Sequence, residues 1–239
     1  MPNFNEQWKV LPHGKVEAVD DRLVTVEGDI SMPLAKFPRR MTVVGLSRDR
    51  SAIFSAVALR ETAMKQIEEV GKPSFLIVPN GHHRIDAGPW KQRYPRLKVL
   101  CPPGARKSVS EAVAVDSTDD ILGDKDVQFL VVEGTDQAEA ALLVRRKNGT
   151  TLIANDIIAN VRRPHGLGAK IIARLAGFGV SRPQVPRVVK RVMVEDKSKL
   201  ARQLRQWSEI PDLRRIIPSH GDLIDRPGPA LLRMADELT

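Results

Sequence analysis

Residues Pro79–Trp90 read PNGHHRIDAGPW and follow directly on the apolar run SFLIV, Ser74–Val78. A short apolar run bounded by Pro, Asn and Gly predicts a strand, so the histidines and the aspartate fall in a loop at a strand end. Two readings compete. In one, the loop holds a metal ion. In the other it is a polar turn: His82 and His83 hydrogen-bond to backbone, and Asp86 caps a helix through GPWKQRYP, with Pro89 at an early helical position. The loop alone does not separate them.

Working outward, LVTVEGDISM, RMTVVGLS, LKVLCPP, VQFLVVEG, AALLVRR, TTLIAND and RRIIPSHG have the same short, β-branched character and predict further strands. AALLVRRKNGTTLIAND predicts a hairpin turning at Asn148-Gly149. SAVALRETAMKQIEEVGKP, LARQLRQWSEIPDL and PALLRMADEL predict helices, the first stopped by Gly71 and Pro73 and the second carrying Leu200, Leu204 and Trp207 on one face. No solenoid repeat or low-complexity linker interrupts this pattern. The class is mixed α and β in one domain spanning residues 1–239, with layers of sheet and helix and a site along one rim.

Three predicted strand ends carry ligand-type residues: Asn80–Asp86, then Asn155-Asp156, then Ser219-His220-Gly221. In this order and spacing they resemble the metallo-β-lactamase superfamily, over most of the chain from RRMTVVGLS to the C-terminus. The resemblance is nearest to a bacterial branch with a degenerate His-x-His-x-Asp-His motif, in which VPN is followed by histidine and then by W…YP. It implies an α+β fold, the four-layer αβ/βα sandwich of that superfamily. Laid on the family motif without gaps, Gly81 takes the place of the first histidine and His83 that of the second. Ile85 takes the place of the aspartate, and Asp86 that of the last histidine. Asp156 matches the family's bridging aspartate and His220 its late histidine. The histidine expected after the next strand is missing: Gly134 is followed by Thr135 and Asp136, with Asp136 or Glu139 as substitutes in the same region.

The resemblance thus implies His83, Asp86, Asp156 and His220 as metal ligands, with His82 and Glu139 as substitutes. Four ligands suffice for one ion, since catalytic zinc sites commonly use three protein ligands and a water whose pKa falls to about 7. Two carboxylates and two imidazoles leave zinc, manganese and iron open. Ile85 argues against two-metal hydrolysis, because the family's carboxylate there binds the second ion and helps orient or deprotonate the attacking water. General-base catalysis is commonly worth about 10² to 10⁴ in rate, so a site lacking it is expected to be slow. Each residue also has a plainer reading, Asp156 as a cap and the histidines as backbone-bonded loop residues.

The chain has 239 residues, 42% of them hydrophobic, and a net charge of +9. Residues 161–215 hold 14 Lys or Arg against 4 Asp or Glu, a net of +10, so the rest of the chain nets −1. This basic helical segment suggests an anionic small-molecule substrate, nucleic acid or an anionic membrane surface as partner; a solvated helical face is the plainer account. Only 4% of residues are aromatic, few for stacking on single strands. Within the segment, HGLGAKIIARLAGFGVSRPQVP has no nucleotide-binding glycine pattern and reads as a lid over the site, a homodimer contact or a membrane-surface helix. Cys101 is the sole cysteine, which excludes an intrachain disulfide or a cysteine zinc module. The N-terminus lacks the layout of a signal peptide and no apolar run reaches membrane-spanning length, so a cytoplasmic location is expected.

Two functions of different class follow. One is a mono-metal hydrolase of a small anionic ester, thioester or phosphodiester. The other is a catalytically inactive binding or interaction protein of the same fold, working through its basic segment.

Overall fold

The computed structural model describes residues 4–32, 35–162, 177–178 and 181–239. Residues 163–176, most of the glycine-containing stretch read above as a lid, dimer contact or membrane-surface helix, lie outside the described residues. Among the described residues, ten strands form two sheets. In the first, β1 (His13–Asp20), β2 (Leu23–Met32), β3 (Ala35–Leu46), β4 (Arg50–Phe54), β5 (Lys72–Ile77) and β6 (Lys98–Leu100) lie in sequence order. The second is ordered β10 (Leu213–Gly221), β9 (Gly149–Asn160), β8 (Ala140–Arg146) and β7 (Val127–Val131).

Three buried clusters divide the molecule into four layers. Phe54, Phe75 and Ile77 of the first sheet meet Leu142, Val144, Ile153 and Ile217 of the second, forming the core between the sheets. The outer face of the first sheet packs Ile53, Leu76 and Val99 on Met64 and Ile67 of α1 (Glu61–Glu68), Trp90 of α2 (Ala87–Arg93) and Val109 of α3 (Arg106–Ser110). The outer face of the second packs Leu152, Ala154 and Ile216 on three helices: α4 (Arg187–Val192), α5 (Lys197–Ser208) and α6 (Pro227–Asp236). Strands with both faces covered must be apolar throughout, which is why SFLIV and TTLIA read as continuous runs rather than alternating ones. The result is a helix–sheet–sheet–helix sandwich.

The predicted strands are all present, and the Asn148-Gly149 turn joins β8 to β9 with Gly149 at φ +113°. One helix is shorter than predicted. SAVAL does not begin α1, because its backbone is bound by side chains instead: the indole N–H groups of Trp90 and Trp8 donate to the carbonyls of Val57 (3.1 Å) and Leu59 (3.0 Å), and the Ala58 N–H donates to Asp86 (3.3 Å). Strands β1 and β4 were not anticipated. HGKVEAVD is a partly exposed edge with little apolar alternation, and RSAIF is too short to stand out.

Two backbone features place the site at the ends of the strands. β9 and β10 run parallel, but between the pairs Ala154–Pro218 and Ala159–His220 the strand β9 carries additional residues, a bulge containing Asp156. Bulges re-aim side chains at sheet rims. Strand β10 then ends at Gly221, at φ +95°, where a Cβ would lie 2.2 Å from the Asn160 carbonyl oxygen. Its own carbonyl accepts from Arg40 Nη2 at 2.8 Å, so the turn after His220 is held from both sides. Gly221→Ala should therefore lower stability by about 1–3 kcal/mol, read from urea denaturation.

Candidate metal centre

The loop after β5 is organised by Asn80, whose side chain is buried. Its Oδ1 accepts the N–H groups of His82 (2.9 Å) and His83 (3.1 Å), a local turn that short polar side chains stabilise. Its Nδ2 donates to Asp156 Oδ2 (2.7 Å) and to Glu139 Oε2 (2.8 Å). One amide thus ties the histidine loop of the first sheet to the bulge of the second. A Cβ at Gly81 would lie 2.7 Å from Ser108 Oγ of α3, so the position corresponding to the family's first histidine is closely packed without any side chain.

Three of the residues singled out in the sequence meet. His83 Nε2 and His220 Nε2 lie 3.2 Å apart, and Asp156 Oδ1 lies 3.2 Å from the first and 3.0 Å from the second. The outer nitrogens are engaged elsewhere: His220 Nδ1 with the Pro38 carbonyl at 2.7 Å, His83 Nδ1 with Ser55 Oγ at 2.7 Å. A carbonyl only accepts, so His220 carries a proton on Nδ1. Its Nε2 faces the Asp156 oxygen and His83 Nε2, a geometry that either a proton on an imidazole Nε2 or a metal ion can bridge. Donors bound to one ion at about 2.0–2.2 Å lie roughly 2.8–3.6 Å apart between octahedral and tetrahedral angles, and the observed spacings fall inside that range. Anchoring of the outer nitrogen is also what ligating histidines ordinarily show.

Burial pushes the His83 imidazole below its usual pKa, although the Asp156 carboxylate opposes this. For Asp156 burial would raise the pKa, but the charges and hydrogen bonds of His83 and His220 outweigh it and hold the carboxyl well below the usual range. Glu139 goes the other way, pushed well above its usual value by burial and then by the Asp156 charge. Its Oε1 is buried without a partner among the described residues, a poor setting for an anion.

The remaining candidates are placed elsewhere. Asp86, the fourth residue of the expected set, does not join the other three. Fully buried at the start of α2, it pairs with Arg39 and accepts from Asn5 Nδ2 (2.7 Å) and the Ala58 N–H (3.3 Å). It stands at the N-cap position yet makes no capping bond to the helix. Its Oδ2 takes the Arg39 guanidinium and the Ala58 N–H, and its Oδ1 takes the Asn5 amide, so both oxygens are occupied. Glu139 shares the Asn80 amide with Asp156 and lies outside the three converging atoms, and Asp136 is exposed in a turn. His82 contributes its backbone to the loop, while its exposed side chain borders the cavity described next. The groups nearest the ligands that the sequence did not suggest are Ser55 and the Pro38 carbonyl. Ser55 follows the short strand β4 and sits at φ +57°, a conformation no local pattern announces.

A cavity of about 280 Å³ opens beside His83, Asp156 and His220, bordered by His82, Ile85, Arg39 and residues of α4. Of the basic segment, Arg182 and Lys190 pair with Glu237, Arg205 with Asp236, and Arg215 with the buried Asp20 carboxylate. Part of its charge is therefore spent on the C-terminal helix and β1. Burial raises the Cys101 thiol to about 11, which removes it as a nucleophile or ligand at neutral pH.

These placements separate the two aspartates experimentally. Asp86→Ala leaves Arg39 buried without its counter-ion and should cost about 3–5 kcal/mol in denaturation, with Asp86→Asn the milder companion that keeps the fold. Metal content of Asp86→Asn should match the unaltered protein. Asp156→Ala should lose the metal while losing much less stability.

No protein-family model matches the chain, and no curated protein matches it. Solved structures do. The chain is similar to the DIM-1 metallo-β-lactamase exposed to ceftazidime, with 14% identity and TM-score 0.62 over 97% of this chain and 100% of that one. It is similar to the metallo-β-lactamase FIM-1 from Pseudomonas aeruginosa in the mono-zinc form, with 12% identity and TM-score 0.60 over 96% and 97%. A metallo-β-lactamase from Erythrobacter litoralis gives 12% identity and TM-score 0.60 over 96% and 100%. With two packed sheets, flanking helices and His83, Asp156 and His220 gathered at the strand ends, the chain has the metallo-β-lactamase fold.

Proposed function

We propose that the protein is a mono-metal hydrolase of an ester, thioester or phosphodiester, with His83, Asp156 and His220 as its metal ligands. The observation that carries this is the convergence of His83 Nε2, His220 Nε2 and Asp156 Oδ1 within 3.2 Å of one another, with both outer nitrogens anchored. A solved fold-mate in a mono-zinc form supports a single-ion reading. Two imidazoles and one carboxylate are a donor set that zinc, manganese and iron all accept.

A divalent ion in such a site lowers the pKa of a water toward neutrality and polarises a carbonyl or phosphoryl oxygen. The chain's own residues do the rest. Asn80 fixes the Asp156 carboxylate so that one oxygen faces the two imidazoles. Pro38 and Ser55 fix the ring orientations. Among the described residues bordering the cavity, only His82 and Arg39 are ionisable beyond the three ligands, and Arg39 is held by Asp86. His82 is therefore the side chain placed to carry a proton from the water to the leaving group. In hydrolysis the water oxygen bonds to the acyl carbon or phosphorus, the bond to the leaving oxygen or sulfur breaks, and one proton passes to the leaving group.

The second reading, a binding protein without catalysis, is favoured by Ile85, whose side chain borders the cavity where the resemblance puts a carboxylate. Partners for that reading are the anionic surfaces and nucleic acids suggested by the basic segment, or a second copy of the chain. Metal analysis discriminates between them. Protein purified with Zn²⁺, Mn²⁺ or Fe²⁺ should hold about one ion per chain and be stabilised by it. His220→Ala should bind it at least ~100-fold more weakly, beyond the 10–100-fold typical of removing an outer hydrogen-bond partner. Generic ester, thioester and phosphodiester substrates should be turned over by the loaded protein and not by His220→Ala. Absence of bound metal and of stabilisation contradicts the hydrolase reading.

A further inference from the structure

We propose that the cavity beside the three ligands is an acyl site, so that the substrate is an ester or thioester with an uncharged, apolar acyl group rather than a phosphodiester. This rests on the hydrolase reading above.

The walls carry the argument. Ile85, Phe178, Val188, Val189, Val192 and Met193 surround the space next to His83, Asp156 and His220. The Phe178 ring meets the His220 imidazole edge-to-face at 6.3 Å, so apolar wall and ligand adjoin directly. Val192 is 71% exposed and Val188 43% exposed, which makes α4 an apolar lip that a bound hydrocarbon would cover. At about 280 Å³ the cavity lies near the lower end of small-ligand sites, roughly 300–1,000 Å³, which suits a short acyl chain or a single ring.

The charge pattern favours an acyl group over a phosphodiester. A phosphodiester brings a full negative charge, and burying it requires counter-charge or hydrogen-bond donors. Beyond an ion held by His83, Asp156 and His220, the one guanidinium or ammonium among the described wall residues is Arg39, and the carboxylate of Asp86 already answers it. Ile85 fits the same account: at the position where the resemblance puts a carboxylate, it supplies a hydrocarbon wall. The reaction is then acyl transfer to water. The water oxygen adds to the acyl carbon, the C–O or C–S bond breaks with its electron pair leaving on oxygen or sulfur, that group takes one proton, and the acid is released as carboxylate with the other proton.

The test uses the full chain and alkyl hydroxamates from acetohydroxamate to hexanohydroxamate, titrated calorimetrically with and without Zn²⁺. The dissociation constant should fall about fourfold per added methylene in both arms, the increment for burying a CH₂ group. Val192→Asp, an exposed position that does not threaten the fold, should reduce the increment to less than about twofold per methylene without changing metal content. A flat series for the unaltered protein overturns the acyl site, as does faster turnover of bis(p-nitrophenyl) phosphate than of p-nitrophenyl hexanoate. If the chain-length dependence holds while the loaded protein turns over no ester, the acyl site stands and the hydrolase reading falls. If esters are turned over with no chain-length dependence in binding, the reverse is true.

Discussion

The hydrogen bond from His220 Nδ1 to the Pro38 carbonyl decides the chemistry of the site. Because the carbonyl only accepts, it fixes a proton on the outer nitrogen and turns Nε2 toward Asp156 Oδ1, 3.0 Å away. His83 Nε2 lies 3.2 Å from each. Three such atoms at that spacing need a proton or a metal ion among them. Pro38 lies on β3 and His220 on β10, one from each sheet, and the bond is possible only because the sandwich brings them together.

The same dependence on two sheets runs through Asn80. Its carbonyl oxygen shapes the loop that carries His83, and its amide reaches across to Asp156 and Glu139. The bulge in β9 is the third element: without the extra residues between Ala154 and Ala159, Asp156 would follow the alternation of a regular strand instead of facing His220. The ligands therefore stand on rigid strand ends, supported by hydrogen bonds from neighbouring strands, the arrangement that keeps a site within tenths of an ångström of a working geometry.

Much of this is legible in the sequence because covered strands must be apolar along their length, and SFLIV, TTLIA and RRIIP each end abruptly in polar residues. Those ends marked His83, Asp156 and His220. What escaped was whatever depends on partners distant in the chain. Asp86 looks like a ligand or a helix cap from its neighbours, but Arg39, forty-seven residues earlier, and Asn5 claim its oxygens. Glu139 looks like an available carboxylate, yet burial and the Asp156 charge favour its neutral form. SAVAL looks like the first turns of a helix, and two tryptophan N–H groups hold its backbone outside the helix. Ser55 carries no motif at all. Its importance comes from a left-handed backbone at the end of β4 that delivers one hydroxyl to His83.

Ile85 stands where the resemblance puts a carboxylate, and with the valines of α4 it makes the space beside His83, Asp156 and His220 hydrocarbon. The proposed function places one ion among the three converging atoms. X-ray absorption at the metal edge of the zinc-loaded protein tests this most directly. The spectrum should show two imidazole nitrogens at about 2.0–2.1 Å and carboxylate or water oxygen at about 2.0–2.2 Å, with the imidazole signal diminished in both His83→Ala and His220→Ala. A shell of oxygen alone, or one unchanged by either substitution, would contradict it.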